Sequence, residues 1–145
     1  MQYHFKVHSE KKGYWAECVE LKGCLTQASS KKELFDNAYE ALNLYLDEPE
    51  NSKVIFPKPV SNIKGSNIIK ISVDTKIAFA MMLRQERVSN HLTQNQVAKK
   101  LGLKNAYSYQ RLENSKTANP SLLTIVMLKS IFPNLNIEAL TSSPA

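Results

Sequence analysis

The chain has 145 residues, which allows one ordinary domain or two small ones, since domains run from roughly 50 to 200 residues. Its 43% hydrophobic and 22% charged residues sit near globular averages, which excludes wholesale disorder and a fibrous repeat. The net charge of +6 is unevenly placed: residues 1–60 hold 8 Lys and Arg against 9 Asp and Glu, whereas residues 61–145 hold 11 against 4. The excess positive charge lies in the second half, the pattern of a basic module that faces a polyanion.

No stretch is long and apolar enough to span a membrane, and Met1-Gln2-Tyr3-His4-Phe5-Lys6 lacks the pattern of a signal peptide, so a cytoplasmic protein without a membrane partner is expected. Cys18 and Cys24 are too few for a disulfide framework or a four-ligand zinc site and read as reduced, partly buried thiols. Neither a metal site nor a cofactor is expected.

Tyr3, Phe5 and Val7 alternate with His4, Lys6 and His8, the period of a half-buried strand. Ser9 to Gly13 reads as a hairpin loop, Tyr14 to Val19 as the returning strand, and Gly23 to Gln27 as a third. Ser30-Lys31-Lys32-Glu33 has capping-box spacing and opens a helix whose stripe is Leu34, Phe35, Ala38, Leu42, Tyr45 and Leu46. Residues 47–66, with Pro49, Pro57 and Pro59, read as a connecting stretch, and Ile68, Ile69, Ile71 and Val73 as a fourth strand. The expected fold is α+β: a β-β-β-α-β module over 1–73, followed by an all-α domain of about five helices over 74–145.

In that second domain Asp74 can cap a helix through about Val88, and Thr93 caps another whose Val97, Ala98 and Leu101 share one face. Gly102 suits the left-handed position that ends it, and a short helix follows over about 105–114 with Tyr109 and Leu112 spaced by three. Two short helices about a glycine turn match the helix-turn-helix, whose first helix crosses the DNA backbone and whose second enters the major groove. Ser121 then caps a helix with Leu122, Ile125, Val126 and Leu128 as its core face, and Ile137 to Leu140 forms a last turn.

Thr93-Gln94-x-x-Val97-Ala98-x-x-Leu101-Gly102, Tyr109-Gln110-Arg111-Leu112-Glu113-Asn114 and Pro120-Ser121 resemble the Cro and phage-repressor type of DNA-binding domain. The resemblance implies that Gln94 approaches a phosphate and that Lys104, Asn105, Tyr107, Ser108, Gln110 and Arg111 are candidates for the groove. From Gly102 to Leu112 is one residue more than the family pattern, which places an extra residue in the turn around Leu103-Lys104-Asn105. Lys99 and Lys100 lie towards phosphate beside Gln94, and Tyr109 belongs to the core.

Gly13-Tyr14-x-Ala16, Glu20-Leu21-x-Gly23-Cys24-x-Thr26-Gln27 and the Ser-capped helix ending Ala41-Leu42-x-Leu44-Tyr45-Leu46 make the first module similar to the HicB antitoxin, with Lys22 and Ala28 standing where the family pattern has proline and glycine. The resemblance implies a partial ribonuclease-H-like module that binds a HicA-type toxin, a small messenger-RNA-cleaving protein, and a helix-turn-helix tail that represses the operon through operator double-stranded DNA. Acidic residues along and after the helix, Glu33, Asp36, Glu40, Asp47, Glu48 and Glu50, suit such a basic partner. A homodimer or higher oligomer is expected, because such repressors meet two half-sites. The alternative is a stand-alone regulator with a ligand-sensing first module.

An enzyme is not expected. Glu17 and Glu20 are odd in spacing and point to opposite strand faces, while Glu33, Asp36 and Glu40 form a solvated helical row, so no carboxylates converge on a metal. His4 and His8, roughly 13 Å apart by strand rise, read as exposed strand residues, and His91 as an exposed loop residue.

Overall fold

Alternation at the start of the chain produces β1, Gln2–Glu10, which pairs antiparallel with β2, Gly13–Cys18. Glu10 opposes Gly13, so the turn is only Lys11-Lys12, shorter than the expected loop. Gly13 adopts φ +151°, and a Cβ there would come within 2.5 Å of the Ala28 carbonyl oxygen, so glycine is needed for β3, Leu25–Ala28, to lie this close. The helix α1, Lys31–Leu46, follows, and β4, Ile68–Ser72, pairs with β1 to complete an antiparallel sheet of order β3-β2-β1-β4. These elements belong to a computed structural model, of which residues 1–141 are described. Positions 142–145, the end of the expected second domain, lie outside the described residues.

α1 packs on β2, β3 and β4 with Leu34, Ala38, Leu42 and Leu46 buried, alongside Tyr3, Phe5 and Ala16 of the sheet. Each buried leucine contributes about 1.5–3 kcal/mol relative to exposure. Phe35, expected in this stripe, is instead 47% exposed, because the 3.6-residue period carries it past the Leu34–Ala38 line. Tyr45 is half-buried, its hydroxyl donating to the Lys22 carbonyl at 2.9 Å. The buried Asn43 fastens α1 to β4, its Nδ2 donating to Ser72 O (3.3 Å) and its Oδ1 accepting from the Asp74 amide (2.6 Å).

His4 is not an exposed strand residue. It is buried, with its amide donating to Glu20 Oε1 and its Nδ1 lying 2.9 Å from Glu20 Oε2. The Val60 amide donates to that same Oε2 at 3.2 Å, so one carboxylate clamps the proline-rich stretch against the sheet, where the Tyr3 hydroxyl also donates to Pro57 O. His8 is half-buried, stacked on Trp15 with centroids 4.0 Å apart, and its Nε2 lies 3.4 Å from Glu17 Oε1. Glu17 and Glu20 therefore both serve the histidine-bearing side. β2 ends at Cys18, so its alternation does not extend to Glu20.

Four α-helices and one 3-10 turn follow: α2, Thr75–Ser89; α3, Gln94–Lys100; α4, Ala106–Gln110; α5, Leu122–Ile131; and Ile137–Leu140. Among the described residues no helix is long and apolar enough to cross a membrane. In α5 only Leu128 is buried, continuing to Phe132 and Leu135, while Leu122 (77% exposed) and Val126 lie at the surface. This helix is apolar on every side, so spacing alone did not separate its core face from its outer one.

By internal contacts the described chain forms two units, one of Met1–Leu46, Phe56–Asp74 and Thr141, the other of Asp47–Ile55 and Thr75–Leu140. The stretch expected to connect elements within the first module is thus divided. Asp47, Glu48 and Glu50, read as continuing the acidic surface of α1, pack in the second unit.

Cys18 and Cys24 are free, buried thiols whose pKa values burial pushes up to about 12 and about 11. Because these values lie above the ordinary thiol value of 9.0, the unfolded chain ionises first, and the stability present below pH 9 is lost as pH rises towards 12. Alkylation of the native protein at pH 8 should therefore be slow at both cysteines and fast in denaturant. Rapid native labelling followed by mass spectrometry would contradict their burial.

Candidate nucleic-acid interface

Thr93 opens α3 with a full capping box: its Oγ1 accepts from the Gln96 amide (3.1 Å) and Gln96 Oε1 accepts from the Thr93 amide (2.8 Å). Val97 and Ala98 are buried on one face. Gly102, at φ +72°, turns the chain out of the helix, and the Leu103 amide returns to Ala98 O at 2.9 Å. Asn105 then caps α4, its Oδ1 accepting from the Ser108 amide and hydroxyl at 3.0 and 3.2 Å.

These caps decide which candidate residues stand outward. Lys104, Asn105, Tyr107, Ser108 and Arg111 are exposed, Tyr107 by 63%. Asn105 is occupied by its capping role through Oδ1. Gln110 is half-buried and donates from Nε2 to Gln94 Oε1 at 3.1 Å, joining α4 to the start of α3. Lys99 and Lys100 are exposed on the last turn of α3, and His91 is exposed in the preceding loop at φ +56°. Tyr109 is fully buried, as a core residue should be.

The centre of this arrangement is Glu113, which is fully buried and accepts four hydrogen bonds. Arg87 of α2 donates from Nε to Oε1 (2.7 Å) and from Nη2 to Oε2 (3.1 Å), Tyr109 Oη donates to Oε1 (2.8 Å), and Gln94 Nε2 donates to Oε2 (2.8 Å). Arg87 Nη1 also reaches Leu92 O at 3.0 Å. Burial pulls the Arg87 guanidinium down, and the Glu113 carboxylate more than restores it, leaving it raised. Burial first, and Glu113 second, hold the Tyr109 phenol well above its ordinary value, so it remains a donor. Arg87 and Glu113 lie outside the site expected from the sequence; the signal for them is the Tyr109–Glu113 spacing of four, which puts an acid on the core face of the helix.

Residues 47–51 form the other wall of a cleft lined also by Gln94, Gln110, Asn114 and Lys116. Gln94 Nε2 donates to Glu50 O (3.0 Å), Asn114 Nδ2 to Glu50 Oε2 (3.1 Å), and Ser115 Oγ to Asp47 Oδ1 (2.6 Å). Arg84 is buried and near Arg87 in sequence, its Nη1 3.4 Å from Glu48 O, while its Nε and Nη2 meet no partner among the described residues. Burial lowers its pKa.

Residues 83–132 match the model of a helix-turn-helix family, of the Cro/C1 type. This match runs from the end of α2 through α5 and takes in both the Arg87–Glu113 pair and the exposed face of α4. It supports a DNA-binding regulator of transcription. No curated protein matches the chain.

Removing either partner leaves a buried charge unpaired, which costs about 3–5 kcal/mol. Arg87→Ala and Glu113→Ala should each lower unfolding stability by that amount in urea titrations. A loss below about 1 kcal/mol would show that the pair is not what joins the helices.

Proposed function

We propose that the protein is a HicB-type antitoxin of a type II toxin–antitoxin system, cytoplasmic and not an enzyme. Its first unit is a partial ribonuclease-H-like module that binds and masks a HicA-type messenger-RNA-cleaving toxin. Its second unit binds operator double-stranded DNA and represses its own operon. The observation that carries the DNA arm is the outward side of α4 and its two ends, where Lys104, Tyr107, Ser108 and Arg111 stand exposed on a scaffold held by Glu113. A helix presented in this way reads base edges in the major groove while the preceding helix meets the backbone.

The toxin arm rests on the order of elements, β-β-β-α-β ahead of a helix-turn-helix, and on the outer side of α1. There Asp36 and Glu40 stand exposed among Phe35, Tyr39 and Leu44. Acid interleaved with aromatic and apolar surface suits a basic protein partner better than RNA, which acid repels. The exposed Leu122, Leu123, Val126 and Met127 of α5 form an apolar surface that a second copy would cover, which supports a homodimer.

Arg111→Ala should weaken operator binding by about 1–3 kcal/mol in a mobility-shift assay and leave toxin neutralisation intact; unchanged affinity would remove Arg111 from the interface. Co-expressed with the product of its adjacent gene, the full chain should purify as a complex and restore growth that the toxin arrests. Phe35→Glu with Tyr39→Glu should abolish that complex without affecting DNA binding. Retention of the complex by the double variant would move the toxin surface off α1.

A further inference from the structure

Gln94 is the donor that the helix-turn-helix resemblance turns towards a phosphate, and Asn114 and Ser115 are polar donors shortly after α4. In this fold all three point at the same short stretch of the chain itself. Gln94 is the telling case: an amide nitrogen has two hydrogens, and its Nε2 places one on Glu113 and the other on the Glu50 carbonyl. Its oxygen is taken by Gln110. The Gln94 side chain therefore has no donor left for a phosphate oxygen while residues 47–50 remain in place. Asn114 and Ser115 are engaged likewise, each by a carboxylate oxygen of that stretch.

We propose that residues 47–50 are an intramolecular competitor for DNA, an acidic segment seated on the phosphate-facing donors of the second unit, which must leave before the unit binds a duplex. The inference rests on the DNA-binding reading given above. Charge agrees with it. The second unit carries ten Lys and Arg against six Asp and Glu, and three of those six acids are Asp47, Glu48 and Glu50. The segment thus removes three of the seven net positive charges that the rest of the unit would present to a polyanion.

The geometry is that of a weak latch. The segment is held by three side-chain hydrogen bonds, by the long contact to Arg84, and by no buried apolar anchor among residues 47–51. Contacts of this kind favour the closed state modestly, so the closed population reduces apparent DNA affinity without abolishing it.

The test measures binding of the full chain to a short random-sequence duplex by fluorescence anisotropy at low salt. Asp47→Ala, Glu48→Ala and Glu50→Ala together should tighten binding at least about fivefold. Glu10→Gln, Glu17→Gln and Glu138→Gln together change the net charge equally, and should alter affinity by less than about twofold if position matters rather than charge alone. Equal gains in the two triple variants, or no gain in the first, would overturn the proposal.

A second variant locks the segment down. Asp47→Cys with Ser115→Cys replaces side chains already 2.6 Å apart, and the oxidised form should bind the duplex at least about tenfold more weakly than the same protein after reduction. Equal binding before and after reduction would also overturn it. No DNA binding by wild type, triple variant or reduced double variant would remove the DNA-binding reading itself, and this inference with it.

Discussion

One carboxylate organises the DNA-binding half of this protein. Glu113 is out of contact with water, and burying an unpaired carboxylate is prohibitive, so every donor around it is there of necessity. Its four hydrogen bonds come from α2, from the first residue of α3 and from α4, so a single side chain ties the three helices together beside the buried apolar residues Leu83, Val97, Ala98, Leu101 and Leu128. Short helices need such help. α3 and α4 have seven and five residues, too few to persist alone, and their mutual angle would be loosely set without a polar joint between them. The exposed position of Tyr107 and Arg111 follows from Tyr109 being drawn inward to that joint.

Much of this was legible in the residues, for reasons that are local. Thr93, Asn105 and Ser121 are short polar side chains at helix starts, and Gly102 sits at positive φ; these features act within four residues of themselves and are read without knowledge of the fold. What depends on contacts distant in sequence was harder to see. Alternation turns His4 outward, yet Glu20, whose carboxylate meets both its amide and its ring, lies 16 residues away. Helical spacing assigns Leu122 and Val126 to the core, but α5 offers apolar residues at every angle, and only packing selects Leu128 and Phe132. Arg87 had no local signature, since its partner is 26 residues downstream.

The uneven charge of the sequence illustrates the same limit. Counted by halves, the acids after α1 belonged to a near-neutral first module and the basic residues to the second. Counted by contact, three of those acids move across, and the second unit becomes a basic surface with its own acidic cover. Charge along a chain predicts partners only when the chain's segments stay with their neighbours in sequence. Here they do not, because the hydrogen-bond donors of Gln94, Asn114 and Ser115 find their acceptors some 44 to 68 residues upstream.

That crossing has a consequence for the protein as a product of synthesis and of gene rearrangement. The chain passes to the second unit after Leu46, returns to the first at Phe56, and leaves it again after Asp74. A ribosome therefore delivers residues 47–55 well before the helices they pack against, and they wait, unpartnered, until Thr75–Leu140 has emerged. No single cut separates the units, and a recombination event that exchanged everything from Thr75 onwards would transfer the helices but leave their acidic segment behind on the donor of the first unit. The two units are interleaved along the chain rather than laid out as interchangeable cassettes.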